Sequence, residues 1–114
     1  MAVNSRQKGA RSEREIAKIL RDHGFTEARR GQQFCGMAGD ADVVGLPGYH
    51  IEVKRVERLN LNAAMSQSSR DAREGEIPVV FHRQNHQPWK VTMYLSDFLD
   101  AAERSDTDSN EGDA

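Results

Sequence analysis

Asp42-Val43-Val44-Gly45-Leu46-Pro47-Gly48-Tyr49-His50-Ile51-Glu52-Val53-Lys54-Arg55 holds two β-rich runs, Asp42 to Leu46 and Tyr49 to Arg55, on either side of a Pro-Gly pair. Proline fixes its own φ and glycine tolerates a positive one, so the pair pre-sets a turn and the stretch predicts a hairpin. Successive side chains of a strand alternate between faces. His50, Glu52 and Lys54 therefore share one side, with Ile51, Val53 and Tyr49 on the other. The apolar side is expected to face the core and the charged side to stay exposed.

The register decides what the hairpin brings together. A two-residue loop pairs Asp42 with Val53, whereas a three-residue loop, Leu46 to Gly48, pairs Asp42 with Glu52. Type II Pro-Gly turns close two-residue hairpins poorly, which leans toward the longer loop or a bulge. In that register two carboxylates face each other at about 5 Å and repel unless a cation lies between them. Hard divalent ions such as Mg²⁺ take oxygen ligands, often one or two carboxylates with waters and substrate phosphate oxygens filling the remaining positions.

Working outward, Ser5 to His23 predicts a helix, with Ile16, Ile19, Leu20 and His23 at three- and four-residue steps and Gly24 as its stop. Ser12 and Glu15 have capping-box spacing, although the basic residues before them suggest an earlier start. Phe25 to Arg30 predicts a short strand, and the glycine-rich stretch Gly31 to Gly39 a loop. Beyond the hairpin, Asn62 to Glu74 predicts a helix stopped by Gly75, Ile77 to His82 and Lys90 to Leu95 two strands, and Ser96 to Ala102 a capped final helix. The order is α, β, β, β, α, β, β, α, which defines an α/β class with a mixed central sheet flanked by helices.

A chain of 114 residues has room for one domain, placed at residues 1–102, and the Ser, Asp, Asn and Gly content of residues 103–114 predicts a disordered acidic tail. The net charge of −2 conceals an asymmetry: Met1 to Gly31 carries eight basic and four acidic side chains. No apolar run approaches the roughly 18 residues of a membrane span, and the polar N-terminus lacks signal-peptide sections, so a cytoplasmic protein is expected. Cys35 is the sole cysteine, which excludes an intrachain disulfide and leaves a cysteine-based zinc site without partners. His82 and His86 lie four apart without a third ligand at a telling distance, and Trp89 is expected in core or interface packing. His50 is expected as a satisfied surface imidazole, and Asp40 as loop solvation or an outer helper.

Asp42, then nine intervening residues, then Glu52-Val53-Lys54, resembles the D-Xn-(D/E)-X-K core of the PD-(D/E)XK nuclease superfamily. The wider pattern resembles archaeal-type Holliday junction resolvases, from Lys8-Gly9-Ala10-Arg11-Ser12-Glu13-Arg14-Glu15-Ile16 through Gly24-Phe25, the glycine-rich loop, Asp42-Val43-Val44 and Glu52-Val53-Lys54 to a helix bearing Gln67. The likeness spans roughly Lys8 to Leu95. It departs in the loop, where Gln32, Gln33 and Cys35 stand in place of the family's serine beside a glycine.

The resemblance implies a restriction-endonuclease-like αβββαβ core and a metal-dependent, structure-selective DNA endonuclease that resolves four-way junctions by paired symmetrical nicks. Such an enzyme serves DNA recombination and repair, and a phage or mobile-element setting fits it. Phosphodiester cleavage needs an activated water and a cation on the developing charge. Asp42, Glu52 and the Val53 carbonyl would hold Mg²⁺, with Mn²⁺ substituting; Glu13 would complete the shell through a water, Lys54 would orient or help deprotonate the attacking water, and Gln67 would assist. Arg6, Lys8, Arg11, Arg14, Arg29, Arg30, Gln33 and Arg55 are the expected DNA contacts, of the kind that position phosphates without reading bases. A homodimer is implied, because a two-fold pair of sites suits a branched substrate. The rivals are an endonuclease of the same fold acting on restriction-like, flap or single-stranded DNA, and a DNA-binding module without turnover.

Overall fold

The computed structural model describes the backbone of residues 5–32 and 41–112 and the side chains of residues 9–32 and 41–105. Helix α1 runs Ser5–Asp22, so the earlier of the two starts holds and Ser12 lies inside the helix, buried, rather than capping it. Its buried stripe is Ser12, Ile16, Ala17 and Leu20, while Ile19 and His23 are exposed. Gly24, at φ +101°, ends the helix.

Strand β1 is only Arg29–Arg30, shorter than expected. The preceding residues turn instead: the Ala28 N–H donates to Phe25 O at 3.0 Å, and the Arg21 guanidinium donates to Ala28 O at 2.8 Å. Strand β2 is Val43–Val44, cut short where Gly45 takes φ +100°. A Cβ at Gly45 would come within 2.5 Å of Ala28 Cα and Glu27 O, so only glycine fits this crossing of the hairpin over the preceding turn.

Strand β3, Tyr49–Arg55, is followed by helix α2, Leu61–Asp71, which is capped by Asn60 accepting from the Ala63 N–H at 3.0 Å. The helix stops before Gly75, since Ala72 is already extended and Gly75, at φ +87°, serves the next turn. Strands β4, Ile77–Arg83, and β5, Lys90–Met93, complete the sheet. The last helix, α3, spans Leu95–Gly112, so it starts before Ser96 and carries into the segment whose composition suggested disorder.

The five strands lie in the order β1-β2-β3-β4-β5, with β3 and β4 parallel and the other neighbours antiparallel. This is the expected mixed sheet flanked by helices, consistent with a restriction-endonuclease-like fold. α2 is the crossover that parallel β3 and β4 require. On one side of the sheet α1 packs Ile16, Ala17 and Leu20 against Val43, Ile51, Val53 and Val79. On the other, Ala64 and Met65 of α2 cover Val80. α3 packs little against the rest, and Tyr94, Leu95, Phe98 and Leu99 stay exposed along it.

Candidate active site

The hairpin register is the one that a three-residue loop gives. Val43 pairs with Ile51, which sets Asp42 opposite Glu52. The Asp42 N–H donates to Ile51 O at 3.0 Å, and Asp42 Oδ2 accepts from the Val53 N–H at 2.9 Å. The N–H and C=O of a strand residue leave on the same edge, so the Val53 carbonyl also faces the Asp42 side.

Burial departs from expectation. Both sides of β3 are covered: Glu52 is 4% and His50 3% exposed, against 0% for Ile51 and 9% for Val53. The cause is α2, whose Ser68 hydroxyl lies against the backbone of both central strands, 3.2 Å from His50 O and 3.1 Å from Val79 O. His50 is therefore no surface imidazole. Its Nε2 lies 3.1 Å from Glu52 Oε1, and its Nδ1 lies 3.7 Å from Glu76 Oε1.

These contacts set the two carboxylates apart. Burial first, and the Glu52 charge second, push the Asp42 carboxyl up to about 7. Burial also raises Glu52, but hydrogen bonds from His50 and Asp42, together with the charges of His50 and Lys54, outweigh it and hold Glu52 below the usual carboxylate range. The hydrogen bond to Glu52 raises the His50 imidazole against its burial. Below about pH 7 Asp42 thus favours its protonated form beside Glu52, where two ionised acids would repel. A divalent cation with oxygen ligands can take that proton's place, so the donor set fits Mg²⁺ or Mn²⁺.

The remaining expected residues lie at varied distances from this pair. Glu13 on α1 is near enough for its charge to raise Asp42, and it accepts from Arg30 Nε at 2.8 Å. Lys54 is half-buried on the Glu52 face, and Gln67 is half-buried on α2 beside Ser68. Arg11, Arg14 and Arg29 are exposed, and Arg55 is half-buried with its Nε lacking a hydrogen-bond partner. Arg6 and Lys8 lie on α1 with side chains outside the described residues, as Gln33, Cys35 and Asp40 lie wholly outside them.

Sequence reasoning missed the acids around His50. Asp71, at the end of α2, has a carboxylate oxygen within 4.8 Å of ligand atoms of His50 and Glu52. The signal was a helix crossing back over β3, which returns its C-terminal turn to the start of the strand. Glu15 was also missed: its Oε1 accepts from Arg83 Nη1 and from Trp89 Nε1, each at 3.0 Å, tying α1 to the far strands. His82 pairs with Thr92 Oγ1 at 2.8 Å.

A mixed sheet that sets Asp42 opposite Glu52, with Lys54 two residues on along the same strand face, is consistent with a PD-(D/E)XK-type nuclease fold. The comparison with protein families agrees: the chain belongs to the family described as "Phage putative PDDEXK endonuclease", whose model matches residues 4–110. No curated protein and no solved structure was found to match the chain. Among the described residues no helix is long and apolar enough to cross a membrane.

Proposed function

We propose that this protein is a Mg²⁺-dependent, structure-selective DNA endonuclease that resolves four-way junctions by paired symmetrical nicks, with Mn²⁺ substituting for Mg²⁺. The observation that carries the reading is the register that sets the half-buried Asp42 carboxylate opposite the buried Glu52 carboxylate, with the Val53 N–H on Asp42. Asp42, Glu52 and the Val53 carbonyl would hold the cation, which when bound would supply Lewis-acid stabilisation of the phosphate. Glu13 reaches that shell through a water while it orients Arg30. Lys54 holds the attacking water or balances charge on the five-coordinate phosphorus, and Gln67 assists from α2. Arg6, Lys8, Arg11, Arg14, Arg29, Arg30, Gln33 and Arg55 grip phosphates, a sequence-independent contact suited to an enzyme that selects shape.

The junction preference rests on the resolvase-like pattern from roughly Lys8 to Leu95. A two-fold dimer presents two such sites to a branched substrate. The exposed Tyr94, Leu95, Phe98 and Leu99 are an apolar surface that a second copy would cover. The setting is recombination and repair of phage DNA in the host cytoplasm. Incubating the purified protein with a labelled mobile four-way junction, and with linear, nicked and forked DNA, with and without Mg²⁺, tests the proposal. Paired nicks on the junction are expected. Equal cutting of all four substrates removes the junction claim and leaves a less selective endonuclease, and binding without metal-dependent cutting removes the enzyme.

A further inference from the structure

Glu52 has donors on two sides. Asp42 and the Val53 carbonyl edge lie on one; on the other are His50, Asp71 and Glu76, which the nuclease reading leaves unused. We propose that His50, Glu52 and Asp71 form a second cation site, selective for divalent transition ions that accept imidazole, with Glu52 bridging it to the Asp42 site. The bridging part rests on the reading of Asp42 and Glu52 as metal ligands.

The geometry is that of a ligand set. His50 Nε2 and Glu52 Oε1 are 3.1 Å apart, the separation of neighbouring ligands around one ion with bonds of about 2.1 Å. Ligand atoms of His50, Glu52 and Asp71 all lie within 4.8 Å of one another. Glu76, at 3.7 Å from His50 Nδ1, adds a third carboxylate around a single imidazole, an excess of negative charge that a cation offsets. His50 and Glu52 are buried and held by the sheet, whereas Asp71 is exposed at the helix end, so water can fill the remaining positions. A cavity of about 460 Å³ lined by His50, Asp71 and Glu76 gives an ion its route in.

Donor chemistry separates the two sites. Carboxylate and carbonyl oxygens suit Mg²⁺ and Mn²⁺ alike, whereas an imidazole in the set favours the transition ion. Two cations sharing a carboxylate are the clamp that two-metal phosphodiesterases use on attacking and leaving oxygens. Mn²⁺ is thus expected to fill two sites where Mg²⁺ fills one.

The test is titration of the metal-free protein with MnCl₂, followed by electron paramagnetic resonance of free Mn²⁺, and with MgCl₂, followed by calorimetry. Two equivalents of Mn²⁺ and one of Mg²⁺ are expected. Asp71→Asn, at an exposed position, should weaken the second Mn²⁺ at least tenfold and leave Mg²⁺ binding unchanged. His50→Gln should do the same, with circular dichroism checking its fold. A single Mn²⁺ equivalent in the unaltered protein, or a second equivalent that Asp71→Asn leaves intact, overturns the proposal. Failure of the nuclease reading shows elsewhere, as Mg²⁺ binding that Asp42→Asn does not change.

Discussion

The two faces of β3 are equally covered and chemically opposite. Toward α1 the strand buries Ile51 and Val53 among Val43, Ile16 and Leu20, and nothing there needs a partner other than carbon. Toward α2 it buries His50 and Glu52, whose polar atoms must find partners or leave the interior. The first face stabilises the fold through area removed from water. The second opposes folding unless His50, a proton on Asp42 or a cation balances its acids. The strand proposed to carry the catalytic groups is therefore also a core strand, and its two sides can be perturbed separately.

The widest separation between the faces is expected in catalysis. Asp42→Asn and Glu52→Gln should each lower Mg²⁺-dependent nicking by about 10³-fold while far-ultraviolet circular dichroism stays unchanged, because they delete ligands and leave volume intact. Ile51→Ala, one residue away on the apolar side, should instead cost about 2–5 kcal/mol in urea denaturation. Its Mg²⁺-dependent gain in melting temperature should survive. If Ile51→Ala abolished that gain, the faces would not be independent.

Stability against pH sharpens the contrast. Asp42 titrates at about 7 in the folded protein against 3.8 ordinarily, so its protonated form favours folding fully below about pH 3.8, and that contribution is lost as pH rises through 7. His50, also raised, acts with the same sign above its ordinary 6.5. Glu52, held low, acts oppositely, but only as pH falls below its ordinary 4.5. Melting temperature in chelator should fall between about pH 5 and pH 8, and Mg²⁺ should restore more of it at pH 8 than at pH 5. Ile51→Ala should lower the whole curve without changing its slope.

A smaller effect is expected away from both faces. Phe98→Asp, on exposed α3, should change the stability of one copy by no more than about 0.5 kcal/mol. In sedimentation velocity at micromolar concentration it should turn a dimer into a monomer. An unchanged sedimentation coefficient would remove α3 as the contact between copies.

Much of this was legible in the sequence because it depends on local rules. Alternation along Tyr49 to Arg55, the Pro47-Gly48 turn and the Gly24 stop gave the element order, while two registers stayed open and the structure takes the one the Pro-Gly pair leaned toward. Expectations failed where distant chain decides. The burial of His50 and Glu52 depends on α2 lying over that side of the sheet, and nothing within the strand announces it. β1 shortened because Arg21 and Phe25 claim the backbone of Ala28, a contact made across a turn. Asp71 comes near His50 and Glu52 through a helix length that composition extended to Glu74 and Asn60 capping began earlier.

The close crossing at Gly45 has one more consequence. With its α-carbon against the Ala28 backbone and no room for a methyl group, Gly45 packs the hairpin bearing Asp42 directly onto the turn leading to Arg29 and Arg30. On the proposed reading, a phosphate held by that arginine pair would sit at a set offset from Asp42, so the protein would measure along a nucleic-acid strand like a caliper.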